Sequence, residues 1–283
     1  MRSADFQSVA VGFFDGVHIG HQAILKSAEA ALTFRNHPLA VLSPEKAPRL
    51  LMDVEERLAA IRACSVSEVV ALDFTPEFAR LSPEGFLAMA GISKEAKIRC
   101  GANWRFGCGG TADASWLRAH GYLVEVVPAV EYRGEAVSST RIRAALERGE
   151  VVDACEMLGR PFEVHGKVFA GKGEGSRLGY PTMNVNPSSL KIRLPLGVYA
   201  AEVGGVLAVA NYGLAPTFGK RAWKEPVVEV HFLRQAPDMQ GGFAEVKLLR
   251  FLRPERKFDS LDELKAQIAR DCAAALAAVQ NHR

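Results

Sequence analysis

The chain has 283 residues, 48% hydrophobic and 24% charged, with a formal net charge of +3. This composition excludes a disordered or fibrous chain and leaves room for one large or two moderate domains. The charge is too small and too evenly spread to argue for nucleic acid, although a slight basic excess suits anionic small molecules.

No apolar run nears 18 residues, and the first is too short for a secretory signal, so no membrane partner is expected. Cys64, Cys100, Cys108, Cys155 and Cys272 are odd in number, scattered and free of a C-x-x-C. They fit reduced thiols in a cytoplasmic protein better than a disulfide frame or a zinc site.

Val9 to Phe14 is a short apolar run that reads as a buried strand. Asp15-Gly16 breaks it. From Ile19 the chain reads as a helix with Ile19, Ala23, Leu25 and Ala28 on its apolar face. His18 and His21 then stand about one turn apart, at a turn and a first helical turn. Free N–H groups and the positive dipole end at such a helix start suit an anion. Glycine lets backbone approach a phosphate with no Cβ in the way. The pattern predicts a polyphosphate site; two surface histidines at a helix cap are the plainer alternative.

The run Gly12-Phe13-Phe14-Asp15-Gly16-Val17-His18-Ile19-Gly20-His21 resembles the G-x-F-D-G-x-H-x-G-H signature of bacterial bifunctional riboflavin kinase/FAD synthetases. Its H-x-G-H core is shared by nucleotidyltransferases that transfer AMP or CMP and release pyrophosphate. The resemblance implies ATP contacts from Gly12, Phe13, Asp15, Gly16, His18, Gly20 and His21, with both histidines catalytic.

Leu32 to Pro38 reads as a strand end running into a proline turn. It resembles the family's T-F-x-P-H-P, which implies that His37 meets FMN; Asn36 stands where the family has Pro. Only 12 residues, Gln22 to Thr33, separate His21 from Phe34, near the ~10–12-residue minimum for a βαβ crossover. Asp53 to Ala63 is predicted as a helix, with Val54, Leu58 and Ile61 on one face, and Val69 to Phe74 as a strand. Ser82 and Pro83 read as the cap and first position of another helix.

Lys97 to Cys100 is a predicted strand feeding Gly101 to Gly107, which resembles G-x-N/D-F-R-F-G with Trp104 in place of the usual Phe. The resemblance puts Asn103 against FMN and Arg105 against ATP. Tyr122 to Val127 is a further strand. Val137-Ser138-Ser139-Thr140-Arg141-Ile142-Arg143 resembles I-S-S-T-x-I-R. The hydroxyls can cap the following helix. Cations there oppose the helix dipole, a conflict that a bound phosphate would remove. The resemblance assigns Ser139, Thr140, Arg141 and Arg143 to ATP. Strands alternating with helices predict an open, Rossmann-like parallel sheet.

The pattern changes near Leu158, which sets the domains at 1–157 and 158–283. Val164–Phe169, Val198–Val203, Leu207–Tyr212, Val227–Leu233 and Ala244–Phe251 are predicted strands of an antiparallel β-barrel. A helix from Leu261 to about Val279, capped by Ser260 or Asp259, closes the chain. Gly171 to Gly175 is a glycine-rich loop, by itself weak evidence. Leu178 to Asn184 resembles the riboflavin kinase signature L-G-F-P-T-A-N. That implies ATP contacts from Gly171, Gly173, Gly175, Gly179, Pro181, Thr182 and Asn184, with Thr182 and Asn184 also on Mg²⁺, which favours hard oxygen ligands.

Glu229 and His231, at i and i+2, share one strand face. A carboxylate in so apolar a strand needs a reason. The family's E-x-H implies Glu229 as general base at the ribityl hydroxyl, and its landmark around Arg253 places Glu229 and Arg253 at riboflavin. Ser176, Ala215, Met239-Gln240-Gly241 and Ala275-Leu276 depart from the family pattern. The function implied is FAD synthesis from riboflavin, FMN and ATP. Two alternatives stay open: one surviving activity, or a non-catalytic flavin- or nucleotide-binding regulator.

Overall fold

A computed structural model describes residues 6–169, 182–187, 191–214, 226–237 and 242–280. The glycine-rich loop through Pro181, Ser176, Ala215, Pro216 to Gly219 and Met239 to Gly241 lie outside the described residues. Two compact units divide the chain, Met1–Ser139 and Thr140–Arg283.

The first unit holds a five-stranded parallel sheet in the order β3-β2-β1-β4-β5. Its strands are β1 (Ser8–Val11), β2 (Ala30–Phe34), β3 (Glu68–Leu72), β4 (Lys97–Gly101) and β5 (Val124–Val127). Strand alternation sends Val9, Val11 and Leu32 to one face, with Phe86, Leu87 and Leu117 from α4 (Pro83–Ala90) and α5 (Ala114–Ala119). Ala10 and Ala31 go to the other face, with Leu25 from α1 (Ile19–Leu25) and Ile61 from α3 (Val54–Ala63). Both faces are covered, as a doubly wound sheet requires.

The caps follow local chemistry. Ser82 Oγ accepts from Gly85 N at 3.1 Å, with Pro83 at the first helical position. Asp53 and Glu56 form a reciprocal capping box on α3.

Three readings shift. β1 stops at Val11 instead of Phe14, because Phe14 turns to φ +59° and leaves the sheet. α1 ends at Leu25, before Ala28, where Ser27 reverses the chain at φ +65°. The trimmed helix still returns β2 parallel to β1, with Val9 opposite Ala30. A small hairpin, β6 (Glu131–Tyr132) and β7 (Glu135–Ala136), turns on Arg133-Gly134 and was not predicted.

Ser139, the last residue of the first unit, opens α6 (Ser139–Glu147); in the second unit the rest of α6 and α7 (Val151–Leu158) precede a closed antiparallel barrel of order β10-β11-β12-β9-β8-β13. The strands are β8 (Phe162–Phe169), β9 (Thr182–Pro187), β10 (Gly197–Val203), β11 (Val206–Gly213), β12 (Val227–Phe232) and β13 (Phe243–Pro254). Five strands were predicted; β9 is a correction, because Thr182-Met183-Asn184 was read as the end of a loop. Gly197 is required by close packing, since a Cβ there would lie 2.4 Å from Arg253 O. The terminal helix α8 (Leu261–Gln280) starts on Ser260, whose Oγ accepts from Glu263 N at 3.2 Å. It packs Ala275 and Ala278 on Val198, Ala200 and Val209.

Candidate active sites

In the first unit the strand order reverses between β1 and β4. In open α/β sheets the crevice beyond the carboxyl ends at such a switch point receives the ligand. The β1–α1 turn and the β4–α5 loop both leave the sheet there.

His18 caps α1, and its Nδ1 accepts from His21 N at 3.2 Å. An accepting Nδ1 leaves Nε2 to carry the proton of a neutral ring. The two imidazoles stack with centroids 3.6 Å apart at 18°, and the Phe14 ring stands perpendicular to His21 at a centroid separation of 5.3 Å. A Cβ on Gly20 would come within 3.1 Å of the His18 ring, so glycine keeps that stack open. Burial first, and the neighbouring His18 second, push the His21 pKa well below its ordinary value. His21 is therefore neutral at pH 7 and offers hydrogen bonds instead of a fixed charge. Its Nδ1 is buried without a partner.

The turn itself is strained. Phe14 and Val17 hold φ of +59° and +39°, and Gly16 +81°. Glycine bears its angle freely, but the non-glycine residues Phe14 and Val17 cost about 1–3 kcal/mol each unless their surroundings fix them. Asp15 supplies part of the fixing: its buried carboxylate accepts from Leu51 N at 3.0 Å and Met52 N at 3.4 Å. Ser139 Oγ donates to the Asp15 carbonyl at 2.9 Å. Asp15 thus faces the backbone ahead of α3, while Ser139 joins the turn.

His37 follows β2, just ahead of α2 (Leu39–Leu42). Its ring stands edge-on to Phe13 at 4.7 Å, and its Nδ1 accepts from Leu39 N at 3.1 Å. Asn36, where the resembling family has Pro, exchanges two 2.9 Å hydrogen bonds with the backbone of Phe74. A side-chain clamp does here what a ring would do by restricting φ.

Asn103 is exposed in the loop after β4, and Trp104 stacks on Phe106 at 4.6 Å. Arg105 pairs with Asp113, the cap of α5, so its guanidinium is engaged within the unit. Thr140, Arg141 and Arg143 belong to the second unit. There Arg143 Nη2 donates to Thr140 Oγ1 at 3.2 Å. In this unit sequence reasoning passed over Arg57, fully buried on α3. Its i, i+4 spacing to Ile61 was the available signal.

In the barrel, pairing register assembles the candidate site. On β12, Glu229 lies opposite Asn184 of β9 and Asn211 of β11; His231 lies opposite Thr182 and Val209. Glu229 Oε1 is 3.9 Å from His231 Nε2. These side chains share the barrel face that carries α8. A cavity of roughly 650 Å³ opens there, lined by Asn211, Glu229, His231, Arg253, Phe258 and Asp271 among others. Burial lowers the His231 pKa, opposed by Glu229 and Asp271. Its Nδ1 too is buried without a partner.

Arg253 reaches the cavity but holds Asp271, from Nε at 2.9 Å and Nη2 at 2.7 Å. Gln267 Nε2 donates to the same carboxylate at 2.8 Å. Asp271 and Asn211 were not predicted. Gln267 and Asp271 sit at i, i+4 on α8, a pattern common to exposed faces. Among the described residues Glu163, His165 and Glu245 also gather metal-type donors. Lys247 Nζ, 3.8 Å from Glu245, already supplies a cation.

Comparison with known proteins agrees with both halves. A family model described as FAD synthetase matches residues 2–141, and one described as riboflavin kinase matches 158–279. The chain is 34% identical over 285 residues to the bifunctional riboflavin kinase/FMN adenylyltransferase of Escherichia coli (strain K12), covering 93% of this chain and 90% of that protein. The protein of that description from Bacillus subtilis (strain 168) is 30% identical over 298 residues, covering 97% and 93%. A solved structure described as a macrolide-efflux protein from Streptococcus pneumoniae superposes with a TM-score of 0.82 at 31% identity, covering 95% of this chain and 93% of that one. No helix among the described residues is long and apolar enough to cross a membrane.

Proposed function

The chain belongs to the family of bifunctional riboflavin kinase/FMN adenylyltransferases, and we propose that it converts riboflavin to FMN and FMN to FAD. ATP, riboflavin and FMN are its small-molecule partners, and the cytoplasm is its compartment. The kinase reaction is assigned to residues 158–283 and the adenylylation to 1–157.

The observation that carries the kinase assignment is the strand register, which sets Glu229 between Asn184 and Asn211 and His231 beside Thr182. The nucleophile in this step is an alcohol. Its oxygen bonds to the γ-phosphorus of ATP, the bridge to the β-phosphate breaks, and ADP leaves. Glu229 takes the hydroxyl proton, and His231 stays neutral beside it. Arg253, oriented by Asp271, borders the flavin. Thr182 and Asn184 offer neutral hard oxygens that fit Mg²⁺ on a triphosphate. When bound, that ion would neutralise phosphate charge.

In the adenylylation an FMN phosphate oxygen bonds to the α-phosphorus of ATP, and pyrophosphate leaves. The nucleophile is already ionised, so positioning and charge stabilisation carry the step. His18, through Nε2–H, and His21 would donate to the triphosphate, with Gly12, Phe13, Gly16 and Gly20 shaping its backbone cradle. Asp15 and Ser139 hold that turn. Arg105, Thr140, Arg141 and Arg143 are assigned to ATP, and His37 and Asn103 to FMN. Gly171, Gly173, Gly175, Gly179 and Pro181 are assigned to the nucleotide of the kinase step.

Incubation with riboflavin, ATP and Mg²⁺, followed by separation of flavins, tests the reading. FMN appearing first and then FAD is expected. One product alone would reduce the function to a single activity. Flavin binding without either product would make the chain a binder.

A further inference from the structure

Arg57 is the largest fully buried side chain among the described residues, at 0% exposure. A buried guanidinium is costly unless its donors are used. This one uses only Nη2, which donates to the carbonyls of Phe34 and of Arg35, the latter at 3.1 Å. Nε and Nη1 are buried without a partner. Stability alone is a poor reason for such a residue, since an apolar side chain of similar volume would avoid the desolvation.

Its position supplies another reason. The guanidinium carbon lies 4.0 Å from the centre of the Phe13 ring, a cation–π contact. Phe13 meets the His37 ring edge-on at 4.7 Å. The same guanidinium holds the carbonyls of Phe34 and Arg35, just ahead of Asn36 and His37. Arg57 therefore grips two separate segments: the strained turn after β1, which carries His18 and His21, and the turn after β2, which carries His37. Asp15 ties the first of these to the backbone at Leu51 and Met52, just ahead of the helix that carries Arg57. The Asp15 and Asp53 carboxylates offset part of the desolvation that lowers the Arg57 pKa.

We propose that Arg57 is a positioning residue for nucleotidyl transfer, locking the turn that carries the histidine pair to the turn that carries His37. It touches no substrate. It fixes the spacing between the groups assigned to ATP and to FMN, so that phosphate meets phosphorus in one arrangement. The proposal rests on the adenylyltransferase reading above, and two readouts keep the two separable.

The test uses the full chain with Arg57→Lys and Arg57→Met. Lysine keeps the charge but cannot serve two carbonyls and stack on Phe13 at once; methionine keeps volume without charge. Misplacement of reacting groups by about 1 Å typically costs ~10²-fold. FMN adenylylation should lose about that factor in kcat in both variants, with KM for ATP changed much less. Riboflavin phosphorylation on the same preparation should be unchanged. Hydrogen exchange should accelerate at residues 12–18 and 35–39 and stay as in the parent over β4 and β5. Full adenylylation by Arg57→Lys overturns the proposal. So does a rate loss that merely follows the folded fraction, with exchange rising across the whole unit. If the parent chain makes no FAD, the functional reading falls, and the exchange pattern alone decides whether Arg57 locks the two turns.

Discussion

Glu229 on β12 sits directly across the strand pair from Asn184 on β9, with Asn211 of β11 on its other side. Its register partners are two amide residues, and the alternate residues Val228, Val230 and Phe232 are buried on the opposite face of the strand. Glu229→Gln preserves shape and still accepts a hydrogen bond. General-base catalysis is typically worth ~10²–10⁴, so riboflavin phosphorylation should fall by about that factor. Adenylylation of added FMN should continue near the parent rate. Rates for both steps, flavin affinity and melting temperature on one preparation decide it; a stable variant that binds and phosphorylates riboflavin normally refutes the base assignment.

The histidine pair affects the other step. His18→Ala or His21→Ala removes an oriented donor, a change that typically costs ~10²–10³ in rate. FAD formation from FMN should drop by that much while FMN formation from riboflavin persists. Survival of FAD synthesis in both variants would move the triphosphate elsewhere.

The same pair predicts a pH dependence in the ligand-free protein. Burial holds the His21 pKa below its ordinary value of 6.5. The unfolded chain then binds the proton more readily than the folded one, so stability is present above about pH 6.5 and declines as pH falls through it. His231 acts in the same direction in the second unit. Melting temperatures at pH 5.5 and 7.5 should differ less for His21→Gln than for the parent. An equal difference would show that His21 contributes nothing to the acid sensitivity.

Asp271→Asn should disturb the barrel site without touching Glu229. It removes the charge that pairs with Arg253. Breaking a buried pair costs about 3 kcal/mol, so melting temperature should fall and the riboflavin KM should rise. An unchanged melting temperature and KM would mean that the pair is dispensable.

Asn36→Ala loses both hydrogen bonds to Phe74. At about 1 kcal/mol each, the first unit should lose about 2 kcal/mol, and KM for FMN should rise because His37 is the next residue. Thermal unfolding and adenylylation kinetics check this; an unaltered KM would detach the clamp from the FMN site.

The sequence was informative where a side chain's role follows from local geometry. His18 and His21 follow from a strand, a break and a helix start, and the shared face of Glu229 and His231 follows from a period of two. It was silent where burial of a polar group depends on distant packing. Arg57 shares the buried face of α3 with Ile61, but nothing local shows that its guanidinium is enclosed until β2 and Phe13 close over it. Asp271 needs Arg253, 18 positions earlier, to be recognisable. Strand β9 was missed because Thr182-Met183-Asn184-Val185-Asn186-Pro187 is rich in turn-forming residues, and pairing with β8 and β12 overrides that local preference.

The register across β9, β12 and β11 also limits how the chain can change length. Adding or removing one residue within 182–187 would turn Thr182 and Asn184 to the opposite face, away from Glu229. A change of two would restore the face but carry Asn184 about 7 Å along the strand, out of reach of the carboxylate. Length variation among functional versions of this barrel should therefore fall between strands, with the spacing from Thr182 to Asn184 and from Glu229 to His231 held fixed.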